Sequence, residues 1–201
     1  MKKILLALAA SALSLAAQAF EPVEGEHFVA LKQAHEPLAP VLEIYSVYCP
    51  FCMKYERAIL PGLKQRFGPQ LATAHLSNKG EFGAEATRLI AVVETVAPER
   101  APALKQALYS ALIEAQRSFS DAAALRAFGL ETAEISEAEF QAALPVRDVR
   151  EKIDAWNSVG EAVAPQVGVP AFVVDGRYAV KLSAMRSPAM LEATLRALLA
   201  K

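Results

Sequence analysis

Cys49 and Cys52 are the only cysteines in a chain of 201 residues, and they stand three positions apart in Cys49-Pro50-Phe51-Cys52. A disulfide across so short a loop constrains little of the unfolded chain, because loop-closure entropy grows with the residues enclosed. The pair therefore suits the making and breaking of a disulfide better than the stapling of a fold. Metal binding and a purely structural disulfide are the alternatives. Two thiolates supply half of a structural zinc site, and the chain adds His27, His35 and His75 but no second Cys-x-x-Cys and no His-x-x-x-His.

The residues before the pair say how it would be held. Val41–Tyr48 is a nearly unbroken apolar run, rich in β-branched and aromatic residues, and reads as a buried strand. A helical pattern follows to about Arg66, with Pro50 at the first helical position, where no N–H is needed. Pro61-Gly62 should kink or break it. Cys49 would thus sit at a helix N-terminus, whose unpaired N–H groups and partial positive charge favour thiolate over thiol. It is expected to be the exposed nucleophile, with a pKa in the roughly 3.5–7.5 range of such sites. Cys52, one turn deeper, should be the shielded resolving thiol. In this reading a substrate thiolate attacks Cys49, a mixed disulfide forms, and Cys52 then releases the oxidised substrate.

Further elements follow from pattern. Glu26–Leu31 and Leu71–Leu76 read as strands. From about Glu81 to Ala164 the chain is helical, with an apolar face over Leu104, Leu108, Ala111, Leu112 and Ala115, a Ser136/Glu139 capping box, and a last helix ending before Pro165. Ala171–Val174 and Tyr178–Val180 flank Asp175-Gly176, a hairpin turn pair. Ser187-Pro188 opens a final helix. Pro170, after Val167-Gly168-Val169, is either a plain strand-start proline or a cis one. The sum is an α/β fold with a large helical insertion.

Met1-Lys2-Lys3, an apolar run to about Ala17 and the small residues Ala17-Gln18-Ala19 together read as a secretory signal peptide over residues 1–19. The run is shorter than the roughly 20 residues that span a bilayer. The mature chain, 20–201, would be one domain carrying its insertion at about 81–164, and would lie in the periplasm, where disulfides persist. Loss of Lys2 and Lys3 takes the formal net charge from −1 to −3, which gives no reason to expect nucleic acid.

The run VLEIYSVYCPFCMKYE resembles the active-site region of the DsbA family of thiol:disulfide interchange proteins, and GVPAFVVDGRY resembles that family's cis-proline strand and hairpin. Cys-Pro-Phe-Cys and HLSNKGEFG (His75–Gly83) look most like the DsbL branch. The residues call for no cofactor or metal, and the resemblance implies a thioredoxin fold with an inserted helical domain and Val169-Pro170 in the cis form beside Cys49, holding substrate. It implies reduced exported proteins as substrates, with an arylsulfate sulfotransferase as a candidate, and a quinone-linked membrane oxidase of the DsbB or DsbI kind as partner; a monomer is the simplest expectation. The resemblance also gives Glu43 and Glu56 as proton-transfer candidates: the acid matching Glu43 lies near the buried cysteine and can accept its proton, and Glu56 matches a second family acid. Glu43 interrupts a buried strand, so its pKa should be raised; Glu56, four residues after Cys52, reads equally well as a solvated helix carboxylate. Two departures stand out. Phe51 replaces the usual His, leaving helix N–H groups to hold the thiolate, and serves as an apolar rim. Thr73 stands where the family has a Lys, which leaves Glu43 without a cationic partner. His75 matches a family His but reads as an ordinary packed or solvated histidine. The competing functions are a disulfide reductase or isomerase, and a peptide-binding chaperone on the same fold.

Overall fold

The computed structural model describes residues 20–201, so the expected signal peptide lies outside the described residues. Among the described residues, Phe28–Ala30 (β1), Val41–Tyr45 (β2), Leu71–His75 (β3), Ala171–Val174 (β4) and Tyr178–Val180 (β5) form one sheet in the order β1-β5-β4-β2-β3. β2 runs parallel to β3 and antiparallel to β4. All five of its residues are buried, as its apolar run requires. The strand ends three residues earlier than the apolar run. Ser46 turns the chain: its carbonyl accepts the Cys49 N–H at 3.0 Å and its hydroxyl accepts the Tyr48 N–H at 3.2 Å.

Pro50–Ala58 (α1) and Leu60–Phe67 (α2) follow. The interruption falls at Ile59, two residues before the expected Pro61-Gly62, because a proline ring and its missing N–H disturb the turn preceding it. Five helices lie between β3 and β4: Gly83–Val96 (α3), Ala101–Tyr109 (α4), Ala122–Ala133 (α5), Glu137–Ala143 (α6) and Arg147–Val167 (α7). The capping box forms at Ser136 and Glu139. α7 passes through Pro165 rather than ending before it. The carbonyl left without its donor belongs to Glu161, on an exposed stretch where water can reach it. α4 is likewise shorter than its apolar stripe. Ser110–Glu114 widens into a π-turn, which rotates Ala115 out to solvent. Pro188–Leu199 (α8) closes the chain, capped by the Ser187 hydroxyl on the Met190 N–H.

Two cores result. Leu60, Leu63 and Phe67 of α2 join Val41, Phe172 and the α8 leucines. Leu42, Ile44 and Val173 join the α3–α7 block through Leu89, Leu104, Phe140 and Trp156. Each such leucine, fully buried, contributes about 2 kcal/mol. Gly129 sets the α3–α5 approach, since a Cβ there would lie 2.1 Å from Leu89 Cδ2. No helix among the described residues is long and apolar enough to cross a membrane.

Candidate active site

Cys49 is the N-cap of α1. Its Sγ accepts the Cys52 backbone N–H at 3.3 Å, and Pro50 occupies the first turn. Both cysteines are free, as in the reduced protein. The Cys49 thiol donates to the Val169 carbonyl at 3.4 Å, and the Val169–Pro170 bond is cis. The β4 entry thus leans over the nucleophile position, and Cys49 is only 3% exposed rather than open as expected. Phe51, beside it, is 65% exposed and lies near Lys54.

The two sulfurs are pushed in opposite directions. A hydrogen bond from the Cys52 thiol holds Cys49 down to about 6, against burial and with help from the Cys52 and Phe51 backbone N–H groups and Lys79. The helix N–H groups therefore rank behind the partner thiol. Burial pushes Cys52 far above the ordinary thiol range, and its hydrogen bond to Cys49 adds to this.

Beneath the pair lies Glu43 on β2. It is 0% exposed, and neither carboxylate oxygen has a hydrogen-bond partner. Burial raises it to about 7; Lys105 opposes the rise, Glu56 adds to it and Lys64 opposes it. Thr73 is its register partner on β3 and carries no charge. The expectation that Glu43 lacks a cation is nevertheless corrected, because the cation comes from α4 instead of the neighbouring strand. Lys105 is buried, its Nζ lies 3.0 Å from Glu56 Oε2, and it sits 4.0 Å from the centre of the Tyr45 ring. Glu56 therefore points inward, also facing Lys64 at 3.7 Å, and is not a solvated helix carboxylate.

His75 ties the loop before Cys49 to α3. Its Nε2 accepts the Val47 N–H at 3.1 Å, and its Nδ1 lies 2.7 Å from Thr87 Oγ1. Thr87 gives its own proton to the Gly83 carbonyl at 3.1 Å, so Nδ1 must donate and the ring is neutral. Burial, then Lys105, holds His75 down to about 3. Tyr48 roofs the other side. Its ring fits against Gly80, where a Cβ would lie 2.1 Å away, and its hydroxyl accepts the Phe82 N–H at 3.3 Å.

Sequence reasoning missed Lys79, Lys105 and Tyr109. Tyr109 is fully buried with no partner for its hydroxyl; burial pushes it up, and the charges of Cys52 and Glu43 push it further. Lys105 and Tyr109 each directly follow a leucine of the α4 stripe, and a Lys and a Tyr one turn apart beside a buried stripe were the available signal. Among the described residues no group of three or more His, Cys, Asp or Glu is placed to hold a metal ion.

Two thiols of opposed acidity, at the start of a helix that follows a central strand, can exchange a disulfide in steps. That chemistry on this sheet, with helices set between β3 and β4, defines a thioredoxin-fold dithiol–disulfide oxidoreductase. The comparisons agree. The thiol:disulfide interchange protein DsbL of Escherichia coli O6:H1 (strain CFT073) is 30% identical, over 99% of this chain and 96% of its own. DsbL of Lelliottia amnigena is 32% identical, over 92% and 89%. The crystal structure of DsbL from Salmonella enterica serovar Typhimurium, 29% identical, superposes with a TM-score of 0.83 over 91% of this chain and all of that one. No protein-family model matches the sequence. On these relatives the chain belongs to the DsbA family of thiol:disulfide interchange proteins, beside DsbL.

Proposed function

We propose that the protein is an exported, periplasmic dithiol oxidase that gives its Cys49–Cys52 disulfide to reduced proteins. The observation that carries this reading is the placement of Cys49 as the N-cap of α1, its Sγ accepting the Cys52 N–H at 3.3 Å, which with the hydrogen bond from the Cys52 thiol holds its pKa down to about 6 from the ordinary 9.0. Stabilising the Cys49 thiolate stabilises the reduced protein, and a stabilised reduced form makes the disulfide a stronger oxidant. At pH 7 the gain is at most about 1.4 kcal/mol, or about 30 mV for a two-electron couple, since solvent at the mouth of the site screens part of it.

The steps follow from electron balance. A substrate thiolate attacks Cys49 Sγ, the Cys49–Cys52 bond breaks, and Cys52 leaves with the electron pair. Glu43, about half protonated near pH 7, gives Cys52 its proton. The second substrate thiolate then attacks the substrate sulfur of the mixed disulfide and expels Cys49 as a thiolate. Release of the oxidised substrate by Cys52 is thereby corrected: attack by Cys52 would return the substrate reduced. Cys52 acts in the other half of the cycle, when a membrane partner of the DsbB or DsbI kind forms a mixed disulfide with Cys49 and Cys52 expels it. Phe51 offers an apolar contact, and the Val169–Pro170 segment offers a carbonyl to an extended substrate strand. An arylsulfate sulfotransferase is a candidate substrate.

The test is the reduction potential of residues 20–201 against a glutathione buffer. A value well above the roughly −180 mV of an isomerase-like couple is expected. A value near the roughly −270 mV of thioredoxin would make the pair a reductant and end the oxidase reading.

A further inference from the structure

Re-oxidation needs a base. Cys52 is fully buried and held as a thiol, so it cannot attack Cys49 until its proton goes elsewhere. Glu43 is the carboxylate whose charge reaches it through the core. A carboxylate that is fully buried without one hydrogen bond would simply stay protonated unless a cation stood near.

The charged and titratable groups facing Glu43 are few. α1 brings Cys52 and Glu56, α2 brings Lys64, α4 brings Lys105 and Tyr109, and β2 itself brings Tyr45; Glu94 of α3 and His75 of β3 share the charge of Lys105 with them. β3 and β4 set only Thr73 and Phe172 beside it. Lys64 is half exposed, and its Nζ lies 3.7 Å from Glu56. Lys105 is buried, is held by Glu56 at 3.0 Å and lies against the ring of Tyr45, which shares the Glu43 face of β2. It is the buried cation of the group.

We propose that Lys105, carried by the helical block, is the positioning cation for Glu43. It supplies from α4 the charge that Thr73 leaves out on the neighbouring strand, and so keeps Glu43 able to take the Cys52 proton during re-oxidation. This rests on the assignment of Glu43 as the proton acceptor. With glutathione disulfide as oxidant the step balances. The Cys49 thiolate attacks it and releases one glutathione thiolate. Glu43 takes the Cys52 proton, and the Cys52 thiolate attacks Cys49 Sγ and releases the second glutathione. The protein is oxidised by two electrons and the glutathione disulfide is reduced.

The test is the rate at which Cys52 resolves the glutathione mixed disulfide on Cys49, followed against pH in the reduced full mature chain. Lys105→Met should raise the pH midpoint of that step by about one unit, which at pH 7 slows it about five-fold, with recovery at higher pH. Thr73→Lys should bring the midpoint back, since position 73 lies beside Glu43 in register and lines a cavity of about 900 Å³ with room for the longer side chain. In a Glu43→Gln background Lys105→Met should shift nothing further. Should Lys105→Met unfold, Lys105→Gln, which removes the charge and keeps a hydrogen-bond donor for Glu56, carries the test by the same rise in midpoint. An unmoved midpoint, slowing that is equal at every pH, or a shift that persists in the Glu43→Gln background would overturn the role of Lys105. A wild-type protein whose Cys49 forms no mixed disulfide would instead overturn the exchange reading itself, and this inference with it.

Discussion

The rim and the floor of the site lie one helical turn apart and treat a sulfur in opposite ways. At the rim, Cys49 receives a thiol and two backbone N–H groups, with Lys79 beyond, and is held down to about 6. On the floor, Cys52 meets a carboxylate and a mostly apolar core, and is pushed up. At the rim the hydrogen bond that Cys52 gives to Cys49 outweighs burial, with the helix N–H groups adding less, while on the floor burial itself is the main cause. Moving three residues along α1 thus exchanges stabilisation of charge for a strong penalty against it. The asymmetry gives the exchange its order, because only the rim sulfur attacks or is attacked from outside.

The largest effects are expected at the rim. Cys49→Ser should abolish disulfide exchange with any thiol, whereas Cys52→Ala should leave Cys49 able to form a mixed disulfide that is not resolved from within; mass measurement of the trapped adduct separates them. An adduct on Cys52 in the first variant would reverse the assignment.

The floor is probed next by stability. The folded value of Glu43, about 7, lies above its ordinary 4.5, so its contribution is full below 4.5 and is lost as pH rises through 7. The loss amounts to about 3 kcal/mol. Glu43→Gln cannot titrate, so denaturant unfolding of the reduced protein should show the variant gaining that much on the wild type between those limits. His75 runs the other way. Its folded value lies below its ordinary one, so its contribution is present above 6.5 and is lost as pH falls through about 3. His75→Phe should leave the buried Val47 N–H unpaired, at a cost of about 2 kcal/mol and about 5 °C in Tm at neutral pH. The smallest effect belongs to the most distant rim group. Lys79→Gln should raise the Cys49 midpoint by no more than about half a unit, and added salt should erase the difference.

The sequence showed the parts of the site that are local. The buried strand, the helix opening at Pro50, the Asp175-Gly176 hairpin and the Ser136 cap are each written within a few residues, and all stand in the structure. Helix ends were less legible: Ile59, the π-turn after Tyr109 and the passage through Pro165 depend on which carbonyls meet water or a neighbouring side chain. Arg57, reaching Ser110 and Glu114 from α1, is one such neighbour at the π-turn. Least legible were the contacts between distant segments. Lys105 meets Glu56 across 49 residues, His75 meets Val47 across 28, and Val169 meets Cys49 across 120. Thr73 alone suggested an acid without a cation, because the strand position was visible and the helix that replaces it was not.

The opposed acidity of the two sulfurs is tested most directly by titrating the Cys49 thiolate, through its ultraviolet absorbance, in the reduced wild type and in Cys52→Ala. A midpoint near 6 is expected in the wild type and a higher one in the variant, because the Cys52 thiol is the strongest single influence holding Cys49 down. A wild-type midpoint near the ordinary 9.0 would contradict that opposition.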